Sequence, residues 1–212
     1  MMFLRYENFR SYLQLYPITT IILAVNLIVF LLDFLVLDRR LTIWGAFYQE
    51  PVLDRYGLSE PYRYLSSIIL HAGWDHLLFN CFSTLVFAPP LERMLGHLRY
   101  LLFYLAAGVA GNALSAAIHA GTEYGSVGAS GAIYGVFGAY LFLAVFRKND
   151  LDEATRKTIY GTLAFGLIYS VLSPAINVWA HVGGGAAGFA MMGVFLILRS
   201  KRGSALVERR DD

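Results

Sequence analysis

Four residues in this chain could do chemistry together: Ser130, His181, His76 and Asn80. A serine hydroxyl is a weak nucleophile until a base removes its proton, and a histidine with an ordinary pKa near 6.5 is the usual base. Ser130 stands in Gly128-Ala129-Ser130-Gly131, and His181 follows Ala180. The glycines on either side of the serine let backbone and substrate come close. His76 and Asn80 are four apart, so on a helix both point from one face and can donate hydrogen bonds to the same place. The chemistry predicted is acyl transfer: Ser130 attacks a carbonyl, His181 carries the proton, and the free N–H groups at the helix start, with His76 and Asn80 as added donors, stabilise the oxyanion. No carboxylate is well placed for a triad. Asp75 is about 100° around the helix from His76, Glu123 falls in a loop, and Asp33 falls in a distant apolar run. A Ser130–His181 dyad is therefore expected, with Tyr134, one turn after the serine, supporting the imidazole.

These residues lie where lipid should be. Only 15% of the 212 residues are charged and 57% are hydrophobic, against roughly 25% charged in a soluble domain. Six runs approach the roughly 20 apolar residues that cross a bilayer: Ile18–Leu37, Ser67–Pro89, Leu98–Ala117, Val127–Phe146, Thr158–Ile176 and Val178–Leu198. Packed as core helices of a soluble protein, they would leave too little polar sequence to coat them. The expected fold is an all-α, six-span membrane bundle over residues 18–198, flanked by short tails at 1–17 and 199–212. The first run lacks a small-residue cleavage site and is read as a retained span. Residues 38–66, rich in Trp and Tyr, are expected to lie in the outer membrane interface.

Thirteen of the 17 Lys and Arg residues fall in the two tails and the second and fourth connections. That bias predicts cytoplasmic termini. In this orientation His76, Ser130 and His181 all sit in the outer part of their spans. An ionisable residue inside a span is expensive, so three such segments with polar groups at matched depth point to a shared hydrated site. Taken singly, each has a plainer reading: a small-residue packing patch at Gly128–Gly131, a bonded interfacial histidine at 181, helix glue at 76 and 80. A metal site from His71, His76 and His181 is disfavoured, because His-x4-His is one residue longer than the i, i+4 zinc pair and no Glu stands between. The formal charge of +2 offers nothing to nucleic acid. The lone Cys81 excludes an intramolecular disulfide.

The motifs, in order, resemble the rhomboid family of intramembrane serine proteases. Tyr62-Arg63 stands where the family often has Trp-Arg. His71-x4-His76-x3-Asn80, Leu91-Glu92-Arg93-Met94-Leu95-Gly96, Gly128-Ala129-Ser130-Gly131 and Ala180-His181-x2-Gly184-x3-Gly188 follow. The resemblance spans about residues 18–198. It implies a Ser130–His181 dyad, an oxyanion site from His76, Asn80 and the Ser130 backbone, and close helix packing at Gly184 and Gly188. It implies transmembrane proteins as substrates, cut on the outer side of the bilayer, and no cofactor. It also implies structural roles for His71, Arg63 and Glu92. The plain six-span form is the one common in bacteria, so a bacterial cell membrane is expected. Tyr62 in place of Trp, Pro89-Pro90 and Asp75 depart from the pattern.

Two other classes compete. A catalytically silent relative would bind membrane proteins without cutting them, but such relatives typically lack the serine or histidine, and both are present. A transporter would need a polar path across the whole membrane, and the polar residues here stop in the outer half.

Overall fold

The computed structural model describes residues 2–4, 6–173 and 176–208, with side chains as far as Ser200. It is a helical bundle in chain order: α1 Phe9–Leu15, α2 Pro17–Leu35, α3 Arg40–Gly45, β1 Phe47–Gln49, α4 Arg63–Ser66, α5 Trp74–Leu95, α6 His97–Ile118, β2 Tyr124–Ser126, α7 Ser130–Phe146, α8 Glu153–Leu172 and α9 Val178–Glu208. Among the described residues three helices are long and apolar enough to cross a membrane: α2, α6 and the Val178–Ser200 part of α9. Helix α7 is apolar but has 17 residues. Helices α5 and α8, of 22 and 20 residues, have the length but carry more polar groups.

Two expectations about the second run are corrected. Its helix begins at Trp74, not Ser67. Residues Ser67–Ile69 form a 3₁₀ turn and Leu70 is extended, so His71 precedes the helix that carries His76 and Asn80. Nor does the run end at Pro89: α5 passes through Pro89 and Pro90 to Leu95. A proline inside a helix removes the bond to the carbonyl four residues back. Here the carbonyl orphaned by Pro89 is that of Leu85, and the Tyr12 hydroxyl donates to it at 3.4 Å.

Buried charges anchor helix ends. Asp33, 1% exposed on α2, accepts from the N–H groups of Leu41 and Thr42 and from the Thr42 hydroxyl at 2.8, 3.2 and 2.6 Å. It thus caps α3 from another helix, satisfying donors that have no intrahelical partner. Glu92, fully buried near the end of α5, does the same for α2, accepting from the N–H groups of Ile18 and Thr19 at 3.0 and 2.8 Å. The Thr19 hydroxyl and His97 Nδ1 complete its shell at 2.6 and 2.7 Å.

The segment 38–66 is ordered around Arg63. Its guanidinium donates to the Ile43 and Ala46 carbonyls at 3.1 and 2.9 Å. It also pairs with Glu60 at 2.7 Å. The Tyr62 and Arg63 donors hold the Glu60 carboxyl below the usual carboxylate range. Tyr62 stacks on Trp44 with ring centroids 4.6 Å apart. The sequence reading missed one element here: β1 pairs antiparallel with β2, Phe47 opposite Ser126 and Gln49 opposite Tyr124. This two-stranded ribbon fastens the segment to the loop that leads into α7.

The centre of the bundle is α7, packed between α6 and α9. Twelve of its 17 residues are buried. Glycines make the approach possible. A Cβ on Gly184 would lie 1.9 Å from the Gly131 carbonyl oxygen, and one on Gly188 would lie 2.0 Å from that of Gly135. The two backbones are therefore in contact, with no room for even a methyl group.

Candidate active site

Ser130 is the first residue of α7. The turn before it depends on Gly128, whose φ of +137° is open to few other residues. Its N–H donates to the Ser67 carbonyl at 2.9 Å. A Cβ at Gly128 would meet the His76 imidazole at 2.7 Å and Ser130 Oγ at 3.5 Å. The missing side chain is what lets His76 and Ser130 flank the same small space. At the start of a helix the first N–H groups have no intrahelical acceptor, and the dipole is positive there.

His76 lies in the first turn of α5. Its Nδ1 accepts from the Ala72 N–H at 3.4 Å, so in the neutral ring Nε2 carries the hydrogen. That edge is the one beside Gly128. Asn80, one turn on and 5% exposed, has an Nδ2 group that is buried with no hydrogen-bond partner among the described residues. A buried donor left unmade is costly, by about 1–3 kcal/mol. Among the described residues the Asn80 amide is thus a donor with no acceptor, and the His76 Nε2 edge lies beside Gly128 and Ser130 Oγ. His71 is buried beside His76, ring centroids 5.2 Å apart, and its carbonyl accepts from Arg39 at 2.8 Å.

His181 sits one turn into α9 and is 5% exposed. The start of that helix is held by Asn177. Its Oδ1 accepts from the Ala180 N–H at 3.0 Å, and its Nδ2 donates to Ser115 on α6 and Ser126 on β2 at 2.9 and 3.2 Å. Gly131, next to the serine, is held 3.4 Å (ideal Cβ position to oxygen) from the carbonyl of Ala180, next to the histidine. The two residues are thus carried on facing turns. Among the described residues no hydrogen bond joins Ser130 Oγ to His181 directly; such contacts are often long in a free enzyme and close when substrate binds.

Tyr134 stacks on the imidazole, the rings 4.0 Å apart and 8° from parallel. One partner was not anticipated. Ser170 on α8 sits 2.7 Å from His181 Nδ1 and 3.2 Å from the Tyr134 hydroxyl. Nothing in the sequence marked it, because a serine among apolar helical residues reads as packing. The structure thus sets Ser130 and His76 beside Gly128, His181 against Tyr134, and the glycines 131, 184 and 188 along the α7–α9 contact, with Asn80 one turn beyond His76 on α5. Asp75 is on the exposed side of α5. Among the described residues no three His, Cys, Asp or Glu side chains gather as metal ligands would.

Comparison with known proteins gives a consistent result. The Rhomboid domain family matches residues 58–198. The chain is 39% identical over 204 residues to the Bacillus subtilis (strain 168) protein named "Putative rhomboid protease YdcA", covering 94% of this chain and 98% of that one. It is 35% identical over 130 residues to "Rhomboid protease GluP" of the same organism, and 28% identical over 148 residues to "Rhomboid-type serine protease 2" of Emericella nidulans. Those two are longer proteins, of which the matches cover 25% and 28%.

Proposed function

We propose that this chain, which belongs to the rhomboid family, is an intramembrane serine endopeptidase that cuts transmembrane segments of other membrane proteins. It is an integral membrane protein with at least three helices fit to span. In the reading we favour, all six long helices cross, both termini are cytoplasmic, and the site faces a hydrated cavity open to the outer side. The bacterial cell membrane is the expected location, in keeping with the Bacillus relatives.

The single observation that carries the reading is the set of unused groups around Ser130. Ser130 opens a helix, the His76 Nε2 edge lies with Ser130 Oγ beside Gly128, the buried Asn80 amide one turn along α5 has no partner among the described residues, and an oriented imidazole stands on the facing turn. Ser130 Oγ forms a bond to the substrate carbonyl carbon as its proton passes to His181 Nε2. The carbonyl oxygen becomes an oxyanion within reach of the Ser130 N–H, His76 and Asn80. The C–N bond then breaks, and His181 returns the proton to the leaving nitrogen. Water, activated by the same imidazole, releases the acyl group from Ser130. Each oxyanion donor of this type contributes about 2.7–4 kcal/mol to the transition state.

The test is cleavage of a fluorogenic transmembrane-segment substrate by purified protein in liposomes, with Ser130→Ala and His181→Ala in parallel. Cleavage by the parent alone, with phosphonate labelling at Ser130, is the expected result. Substrate binding that survives in a parent protein unable to cleave or be labelled would instead identify a silent binder.

A further inference from the structure

A histidine that takes a proton from serine must offer it a bare ring nitrogen, and in the neutral ring the other nitrogen then carries the hydrogen. In a triad a buried carboxylate holds that hydrogen and so fixes the tautomer. Here the hydrogen-bond partner of the ring among the described residues is a serine on another helix.

Ser170 is 3% exposed, and its hydroxyl has one hydrogen and two lone pairs. Its neighbours decide how these are used. The Gly166 carbonyl, 2.6 Å away, can only accept, so it takes the hydroxyl hydrogen. The 2.7 Å contact to His181 Nδ1 is then an N–H donating to Ser170 Oγ. The Tyr134 hydroxyl, at 3.2 Å, donates into the remaining lone pair. Each proton has one place, and Nε2 is left bare. A serine that bonds only its own i−4 carbonyl is a common feature of apolar helices. Ser170 differs because the same oxygen also receives side chains from α7 and α9.

The geometry points to Ser170 as the positioning residue of His181: it fixes the Nδ1–H tautomer and the tilt of the ring, in the place where a triad has a carboxylate. This rests on the reading of Ser130 and His181 as nucleophile and base. The chain of groups runs Gly166 C=O, Ser170 O–H, His181 N–H, so each bond polarises the next. As a proton reaches Nε2, the growing positive charge is met by an oriented dipole rather than by a full negative charge. Gly166 is part of the device. A Cβ there would lie 2.5 Å from the Tyr134 hydroxyl oxygen, forcing the ring and its hydroxyl away from Ser170.

The experiment compares the parent, Ser170→Ala and Ser170→Thr by cleavage kinetics and by nitrogen NMR of histidine-labelled protein in detergent. Loss of the positioning bond is expected to lower kcat about 10- to 100-fold, within what general-base catalysis contributes. KM should change less than about 2-fold, since ground-state binding is untouched. Ser170→Thr, which keeps a hydroxyl, should recover most of the rate. The parent spectrum should show His181 with Nδ1 protonated and Nε2 bare, and Ser170→Ala should shift it toward the other tautomer. Parent kcat in Ser170→Ala, or an Nε2–H tautomer in the parent, would overturn the proposal. Equal rate loss in both variants with no tautomer change would also overturn it, leaving Ser170 as packing alone. If the parent neither cleaves nor labels at Ser130, the protease reading fails, and the parent spectrum still decides the tautomer.

Discussion

Helices α7 and α8 both reach His181, and they are built in opposite ways. In α7, 12 of 17 residues are buried, and its glycines meet α9 backbone to backbone. In α8, three of 20 are buried: Thr155, Ile159 and Ser170. Its outer surface shows Phe165, Ile168, Val171 and Leu172, each at least 60% exposed. Exposed apolar side chains suit a helix that meets lipid, whereas small residues suit a seam between helices. Ser130, the proposed nucleophile, thus opens the closely packed helix. The His181 imidazole touches that seam through Tyr134 on one side and the less buried α8 through Ser170 on the other. The histidine touches both helices, and α8 is the one with fewer buried residues to hold it.

The sharpest test of this contrast removes the chemistry and leaves the packing. Ser130→Ala and His181→Ala should reduce cleavage to background while thermal unfolding in detergent stays near the parent's. The next compares glycines on the two helices. Gly184→Ala or Gly188→Ala drives a methyl group into a facing carbonyl, and should destabilise by about 1–3 kcal/mol as overpacking does. Gly161→Ala on α8 meets nothing within 4 Å, and should be neutral or stabilise by about 0.4–1 kcal/mol. Equal effects at the two places would break the comparison. A smaller effect concerns Tyr134. Stacked rings contribute about 0.5–1.5 kcal/mol, so Tyr134→Ala should cost up to about tenfold in kcat, and Tyr134→Phe, which keeps the stack, clearly less.

The smallest effect is at the entry to α8. Asp152 caps this helix by accepting from the Thr155 hydroxyl and N–H at 2.6 and 2.9 Å, which lowers its carboxyl to about 2. A carboxyl with a depressed folded-state pKa stabilises above its unfolded value near 3.9. That contribution should fade as pH falls from about 4 to about 2 and be absent in Asp152→Ala. Hydrogen exchange along α8 against pH would show it.

The sequence made much of this site readable because its residues lie close in sequence to structural punctuation. Ser130 follows a glycine with positive φ and opens a helix; His76 and Asn80 share a helical face; Tyr134 is one turn on. Gly184 and Gly188 have the four-residue spacing of a helix contact. Less could be read where tertiary contacts decide. Leu70, Ala72 and Gly73 are apolar or small enough to extend a helix on paper, yet the chain there, extended at Leu70, delivers the His71 carbonyl to Arg39. Pro89 looked like a helix end because its lost bond was visible and the hydroxyl of Tyr12, 73 residues upstream of the freed Leu85 carbonyl, was not. Three-residue strands leave no alternating pattern to find. Ser170 has meaning only once α8 is laid against α9.

Glu92 carries a consequence for the order of assembly. Chains are made from the amino terminus, and early segments begin to organise first. Yet the carboxylate that closes the start of α2 lies 73 and 74 residues downstream of the two N–H groups it holds. When α2 leaves the ribosome its clasp has not been synthesised. The helix must enter its environment with its first turn open and be locked only when the α5–α6 corner arrives. Truncated nascent chains ending before residue 92 should therefore leave Ile18 and Thr19 exchanging freely with solvent, and chains that extend past α6 should not.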